Sequence, residues 1–148
     1  MSLFIRVLTD ADLPDLLALY RELHPADGAT EENVARQVWQ QIQATPGLTL
    51  LGGFAGEQLA ASCMLVLVPN LTRGARPFGL IENVVTSDAF RRRGYGRTLL
   101  QHATLLAREA GCYKLMLQTG RLDAATFAFY EACGFSRHAK QAFLMRLE

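Results

Sequence analysis

The sequence predicts an α/β fold in which helices cover a mixed sheet, and three observations support that prediction. The chain has 148 residues, of which 50% are apolar and 20% charged, enough for one hydrophobic core. Its apolar residues switch between strand and helix spacing in the order β-α-α-β-β-β-α-β-α-β-β. No repeat, low-complexity tract or linker interrupts that order, so we expect residues 1–148 to form a single domain.

The first half of the chain predicts a strand, two helices and a hairpin. Leucines at helical spacing follow a helix cap at Thr9 or Asp10, and Pro46-Gly47 ends the second helix. A turn at Gly56-Glu57 separates two apolar runs, which is typical of an antiparallel hairpin. In order, the predicted elements are a strand at 4–7, a helix after Asp10, a helix capped by Thr30, and strands at 48–55 and 59–68.

The second half predicts alternating strands and helices after a polar connection at 69–77. Gly111 and Gly134 are placed to end the two helices, as glycine often does. In order, the predicted elements are a strand at 78–86, a helix that stops at Gly111, a strand at 114–119, a helix at 123–133, and two short strands within 135–147.

Charge and residue content narrow the class of protein. A formal net charge of +1 does not suggest a general nucleic-acid binder, so we expect no nucleic-acid partner. Cys63, Cys112 and Cys133 stand singly in apolar stretches, which favours buried thiols in a reducing compartment. The three histidines are scattered and predict no metal site. No signal peptide is recognised and no apolar run approaches the about 20 residues that span a bilayer, so we expect a cytoplasmic protein without a membrane partner.

The stretch at 81–100 combines a strand, a basic glycine turn and the start of a helix. The turn is Arg91-Arg92-Arg93-Gly94-Tyr95-Gly96. Unpaired backbone N–H groups and the helix dipole make a helix N-terminus an anion site, and glycine lets the backbone approach a ligand closely. The pattern therefore favours phosphate binding; the alternative is a solvated run of charges.

Two motifs together resemble the GNAT superfamily of acetyl-CoA-dependent N-acetyltransferases. They are Arg91-x-x-Gly94-x-Gly96 and, some forty residues later, Phe129-Tyr130-Glu131-x-x-Gly134-Phe135. The resemblance covers nearly the whole chain. It implies a six- to seven-stranded, mostly antiparallel sheet with about four flanking helices, in which two central parallel strands splay apart around the pantetheine arm of acetyl-CoA.

The resemblance also implies which residues bind acetyl-CoA. The strand that ends at Thr86 would bond the pantetheine, and backbone amides of the glycine turn would hold the pyrophosphate. Asp123 stands where the family often has asparagine, and an ionised aspartate can accept but cannot donate a hydrogen bond. The implied residues are Val84, Val85, Thr86, Arg91, Arg92, Arg93, Gly94, Tyr95, Gly96, Arg97 and Asp123.

Two residues are candidates for the proton transfers that acetylation of an amine requires. Glu82 lies in an apolar strand, where partial burial would make its carboxylate a better general base; the alternative is a structural carboxylate paired with an arginine. The resemblance places the hydroxyl of Tyr130 at the thioester sulfur, as a general acid for the leaving thiolate. The alternative for Tyr130 is an ordinary core tyrosine.

The sequence indicates fewer residues for binding the acceptor amine than for binding acetyl-CoA. Tyr20 and His24 lie in a region that, by the resemblance, lines the acceptor pocket, and Arg73 and Arg76 are either contacts for an acidic acceptor or plain surface charges. The strand Glu82-Asn83-Val84-Val85 resembles members that act on amino sugars and similar small amines.

Three functions follow from these observations. We expect an enzyme that acetylates the primary amine of a small molecule by direct attack in a ternary complex. The alternatives are a non-catalytic acetyl-CoA sensor or scaffold, and an acetyltransferase acting on a protein or peptide. Dimers are common in the resembled family, and apolar residues in the last predicted strands would support a homodimer.

Overall fold

The computed structural model describes residues 2–148 and contains one five-stranded mixed sheet. The strands lie in the order of the chain. The first three neighbouring pairs are antiparallel, and the last pair is parallel. The strands are β1 (Phe4–Val7), β2 (Leu48–Ala55), β3 (Gln58–Val68), β4 (Phe78–Thr86) and β5 (Leu115–Leu117).

Helices connect the strands, and the four predicted ones are confirmed in position. Two cap positions are wrong. Thr9 precedes a short helical turn at Asp10–Asp12, so Asp12 is the residue before the first helix, and Glu31, not Thr30, is the residue before the second helix, which no side chain caps. A further short turn, which the sequence did not predict, contains left-handed residues at Arg73, Gly74 and Ala75. The helices are α1 (Leu13–Leu23), α2 (Glu32–Ala44), α3 (Thr72–Ala75), α4 (Tyr95–Glu109) and α5 (Ala124–Ala132).

The sheet divides the core into two layers because successive strand residues point to opposite faces. Leu50 belongs to the cluster that α1 and α2 cover, whereas Leu51, next to it, belongs to the cluster that α4 covers. Trp39 anchors α2 in the first layer, and its indole N–H donates a hydrogen bond of 2.6 Å to Asp10. Leu99 is fully buried at the centre of the second layer.

The predicted number of six to seven strands is wrong, because the described residues form five. The difference lies at 135–147, where the structure has no strand. The apolar side chains of this segment are exposed, with Phe143 at 92% and Leu147 at 93%. An alternating sequence supplies a strand pattern, but a strand also needs a neighbouring edge for its backbone hydrogen bonds.

The predicted splay of the parallel pair is confirmed. β4 and β5 pair only from Gly79 with Leu115 to Ile81 with Leu117, while β4 continues for five more residues. On its other side β4 carries a bulge, since its register with β3 shifts between Ser62 and Met64. The second half of β4 is therefore open on the β5 side.

Candidate active site

The basic turn after β4 forms the N-terminus of α4. Gly94 precedes the helix in a left-handed conformation, with φ at 79°. The Thr98 N–H donates the first helical bond, to the Gly94 carbonyl at 3.0 Å. The amides of Gly96 and Arg97 come before it and have no partner within the helix. This end of α4 can therefore donate hydrogen bonds to an anion.

Gly96 is where three elements meet closely. A Cβ atom at this position would lie 3.2 Å from Cζ of Phe129 on α5 and 3.3 Å from Oγ1 of Thr86 on β4. Either distance is shorter than ordinary carbon contacts. Glycine therefore lets the start of α4 lie against β4 and α5, which brings the two sequence motifs together.

The arginines of the turn are exposed, but they are not equivalent. Arg91 is paired with Asp88 at 2.8 Å, and its Nε–H donates to the Thr86 carbonyl at 3.4 Å. The Arg93 guanidinium lies 5.4 Å from the centre of the Phe90 ring. Arg92 adopts a left-handed backbone, with φ at 62°. The contacts of Arg91 therefore stabilise the turn, whereas Arg92 stands out by its left-handed backbone.

Tyr95 differs from its neighbours in the turn because its side chain is buried. It is 5% exposed and packs with Ala55 of β2 and Ala60 of β3. Only its backbone is placed to approach a ligand at the surface. The side chain instead anchors the first turn of α4 to the core.

Glu82 lies on β4 directly after pairing with β5 stops. Its side chain is exposed, so the expected partial burial is wrong. No β5 residue pairs with this part of β4. Within residues 2–148 it has no ion-pair partner, which leaves the structural-pair alternative without support. An exposed, unpaired carboxylate at the mouth of the opening can accept a proton from a ligand.

Tyr130 lies on α5 in the same layer as the opened part of β4. Its ring is half-buried and contacts Phe129 edge-on, with ring centres 5.0 Å apart, and Phe135 at 6.4 Å. It packs in the cluster that also includes Val84. Burial raises the pKa of Tyr130, so the hydroxyl is protonated at neutral pH and able to donate.

Asp123 has a clear structural role as the N-cap of α5. Its carboxylate accepts hydrogen bonds from the Thr126 N–H at 2.9 Å and from the Thr126 hydroxyl at 3.0 Å, and it pairs with Arg121 at 3.2 Å. The Thr126 amide is the main cause of the lowered pKa of Asp123. Both carboxylate oxygens are thus engaged in starting the helix that carries Tyr130.

A cavity of about 240 Å³ lies between the end of α1, the turn at 25–27 and β4. Tyr20 and His24, both predicted acceptor contacts, line it together. Arg21 and Asn83 also line it, and sequence reasoning missed both. The available signal for Asn83 was a polar residue directly after Glu82 in an otherwise apolar strand. The cavity is lined by both polar and apolar residues, with Asp27 as well as Arg21 at its wall, and it borders the open segment of β4 at Asn83.

Two kinds of site are not found among residues 2–148. No group of three or more histidine, cysteine, aspartate or glutamate residues there is arranged to hold a metal ion. No helix within the same residues is long and apolar enough to cross a membrane.

The sequence over residues 13–135 matches the model of the acetyltransferase (GNAT) family. This chain belongs to the GNAT family. The resemblance of the two motifs is thereby confirmed, together with the mixed α/β fold class. Members of the family transfer acetyl groups from acetyl-CoA, and this GNAT chain is an acyltransferase.

Two named relatives and one solved structure are similar to most of this chain. The chain is 30% identical over 154 residues to the glucosamine 6-phosphate N-acetyltransferase of Trypanosoma brucei brucei, covering 100% of this chain and 97% of the relative. It is 32% identical over 136 residues to glucosamine 6-phosphate N-acetyltransferase 1 of Oryza sativa subsp. japonica, covering 88% and 79%. A solved protein of Agrobacterium tumefaciens str. C58, assigned provisionally as an acetyltransferase, is 47% identical with a TM-score of 0.93, covering 97% and 99%.

Proposed function

We propose that this GNAT enzyme acetylates the primary amine of a small amino sugar, with glucosamine 6-phosphate as the first acceptor to test. The observation that carries the proposal is the cavity of about 240 Å³, lined by polar and apolar residues, beside the opened half of β4. Relatives that span most of the chain are named for this sugar phosphate. Arg21, which lines the cavity, is a cation suited to a phosphate group.

The residues around the opening fit acetyl-CoA, which supplies an acetyl thioester when bound. Backbone groups of Val84, Val85 and Thr86 would bond the pantetheine, because this edge of β4 has no β5 partner. The backbone amides at 92–97 would hold the pyrophosphate, and Gly96, which has no side chain, keeps this turn close to β4 and α5. Asp123 would act by fixing the start of α5, since its oxygens already accept from Thr126.

The proton transfers are assigned to Glu82 and Tyr130. Glu82 takes the proton of the acceptor amine, directly or through water, as the amine attacks the acetyl carbon within the ternary complex. Tyr130 gives its proton to the leaving thiolate, and the burial that raises its pKa keeps that proton in place until then. The backbone N–H near Val84 would stabilise the developing oxyanion.

A thiol-release assay with acetyl-CoA tests this proposal. The acceptors are glucosamine 6-phosphate, glucosamine, polyamines, amino acids and a peptide panel. We expect the highest kcat/KM with the sugar phosphate. Cofactor binding without thiol release from any acceptor would favour the sensor alternative, and turnover only with peptides would favour a protein acetyltransferase.

We further propose that the enzyme acts in the cytoplasm as a homodimer. The segment 136–148 supports self-association, because Phe143, Met145 and Leu147 alternate along it and are 80% exposed or more. In a strand these three side chains would share one face, and β5 offers a short edge in each copy. Analytical ultracentrifugation of the parent enzyme and of Phe143→Asp tests this. We expect a dimer for the parent and a monomer for the variant, and a monomeric parent enzyme would overturn the proposal.

A further inference from the structure

Tyr20 carries an unusual polar atom. Its hydroxyl is buried and has no hydrogen-bond partner, and no other buried side-chain oxygen or nitrogen among residues 2–148 is left so. Burial raises the pKa of Tyr20 to about 12, so the hydroxyl is a neutral donor. A buried donor without a partner destabilises a protein, and its presence calls for an explanation.

Asn83 lies close to this hydroxyl and is also unusual. Its φ of 53° places it in the left-handed region, at the bulge where Asn83 and Val84 together oppose Cys63. Asparagine tolerates this conformation better than other residues with a side chain. The Asn83 side chain lies near enough to Tyr20 to counter part of the effect of burial on its pKa. The two groups do not meet in hydrogen-bond geometry, so the hydroxyl remains unsatisfied.

Both residues line the same cavity. An asparagine carboxamide has an oxygen that accepts and a nitrogen that donates. If the Asn83 amide turns so that its oxygen faces Tyr20, it accepts a hydrogen bond from the neutral tyrosine hydroxyl and presents its NH₂ group to the remaining space. That group then offers hydrogen bonds to an oxygen of the bound acceptor.

We propose that Asn83 binds an acceptor oxygen next to the reacting amine through its NH₂ group, and that Tyr20 is a positioning residue that orients the Asn83 carboxamide. This inference rests on the proposed function and deepens it. The acceptor class is an amine with a neighbouring hydroxyl, such as a 2-amino sugar. Tyr20 and Asn83 then close their hydrogen bonds only when the acceptor is bound, which favours acceptors that carry the oxygen.

The test uses Tyr20→Phe and Asn83→Gly in the full chain. Glycine keeps the left-handed backbone at position 83, so it removes the carboxamide without straining the bulge. With glucosamine 6-phosphate we expect each variant to raise the acceptor KM about tenfold, the loss of one hydrogen bond, with the KM for acetyl-CoA unchanged. Tyr113→Phe is the matched control and should leave both KM values unchanged.

Two further readouts separate positioning from a structural role. Removing an unsatisfied hydroxyl should leave the Tm of Tyr20→Phe equal to or above that of the parent enzyme. The 1-deoxy and 3-deoxy forms of the sugar phosphate each lack one oxygen that flanks the amine. One of these two deoxy sugar phosphates lacks the oxygen that Asn83 binds. With that compound the KM of the parent enzyme should be about as high as the KM of Asn83→Gly, because the variant has no further hydrogen bond to lose.

Several results would overturn the inference. Unchanged acceptor KM in both variants, or a lower Tm with equal losses on every acceptor, would mean a structural role only. Both comparisons apply when the parent enzyme acetylates glucosamine 6-phosphate. An absence of turnover with every amine would instead refute the proposed function, and this inference with it.

Discussion

Replacing Asp12 with asparagine should destabilise the protein in a way that depends on pH. Asp12 lies between β1 and α1, and its carboxylate accepts two hydrogen bonds from Arg6, at 2.6 and 2.9 Å, and one from the Thr9 N–H at 2.7 Å. The Asp12 side chain is 10% exposed and that of Arg6 is 37% exposed. The pair therefore ties the first strand to the start of the helix that carries Tyr20.

The magnitude follows from the environment of the carboxyl group. The hydrogen-bonded Arg6 guanidinium lowers the pKa of Asp12 from 3.8 to about 2. Such a difference corresponds to ~2.4 kcal/mol of folding free energy at about 1.36 kcal/mol per pKa unit. Water reaches more than a third of Arg6 and screens the pair, so we expect about 1 kcal/mol. For a chain of this length, that corresponds to a Tm lower by ~2–4 °C.

The sign follows from a folded-state pKa that is lower than the unfolded one. The stabilisation is complete above the unfolded pKa, near 4, and is lost as the pH falls towards the folded pKa, near 2. Urea unfolding of the parent enzyme and Asp12→Asn should therefore give a constant difference in unfolding free energy from about pH 7 to 5 and a shrinking one below about pH 4. Glu32→Gln, which breaks an exposed pair with Arg36, is the control and should change little. A difference that persists undiminished in acid, or none at neutral pH, would refute the reasoning.

Three further variants test the site. Glu82→Gln should lower kcat about 100-fold with the Kd for acetyl-CoA unchanged by calorimetry, because only the general base is removed; normal turnover would exclude that role. Tyr130→Phe should lower kcat by a similar factor of about 100 while cofactor binding persists, and an unaltered kcat would leave Tyr130 as a core residue. Gly96→Ala should raise the KM for acetyl-CoA about tenfold, since its Cβ would lie 3.2 Å from Phe129, whereas Gly120→Ala, with nothing within 4 Å, should not. Equal KM values for these last two variants would contradict the role of Gly96 in shaping the cofactor site.

Local sequence patterns were enough to predict most elements of this fold. The bounds of β2 and β4 are confirmed at both ends, because long apolar runs there stop at turns. The start of α5 is confirmed at Asp123, a residue type that caps helices with its own side chain. In each case the deciding interaction is between residues close in the chain.

Patterns were less reliable where a partner from another element decides the outcome. On α2, Val34 and Val38 stand at helical spacing with buried residues, yet both are 45% exposed, because the residues of the helix that are buried are Ala35 and Trp39. The apolar surroundings of Glu82 in the sequence predicted partial burial, but its side chain is exposed in the folded protein.

The candidate site shows the same division. Motif spacing predicted the glycine turn and Tyr130, and the structure brings Gly96 into close approach to Phe129, the neighbour of Tyr130. The catalytic and cofactor-binding roles of these residues stay predictions. The sequence marks Asn83 only as a polar residue in an apolar strand, because its left-handed backbone arises from a bulge against β3.

By itself, the sequence determined the order of the elements, the family and the turn that begins α4, since hydrophobic period, glycine placement and caps act over a few residues. Only the tertiary structure decided that β4 and β5 part after Ile81, that Glu82 is exposed, and that Tyr20 and Asn83 share a cavity. The physical reason is that burial and hydrogen-bond satisfaction depend on which distant segments meet. A single stretch of sequence does not contain that information.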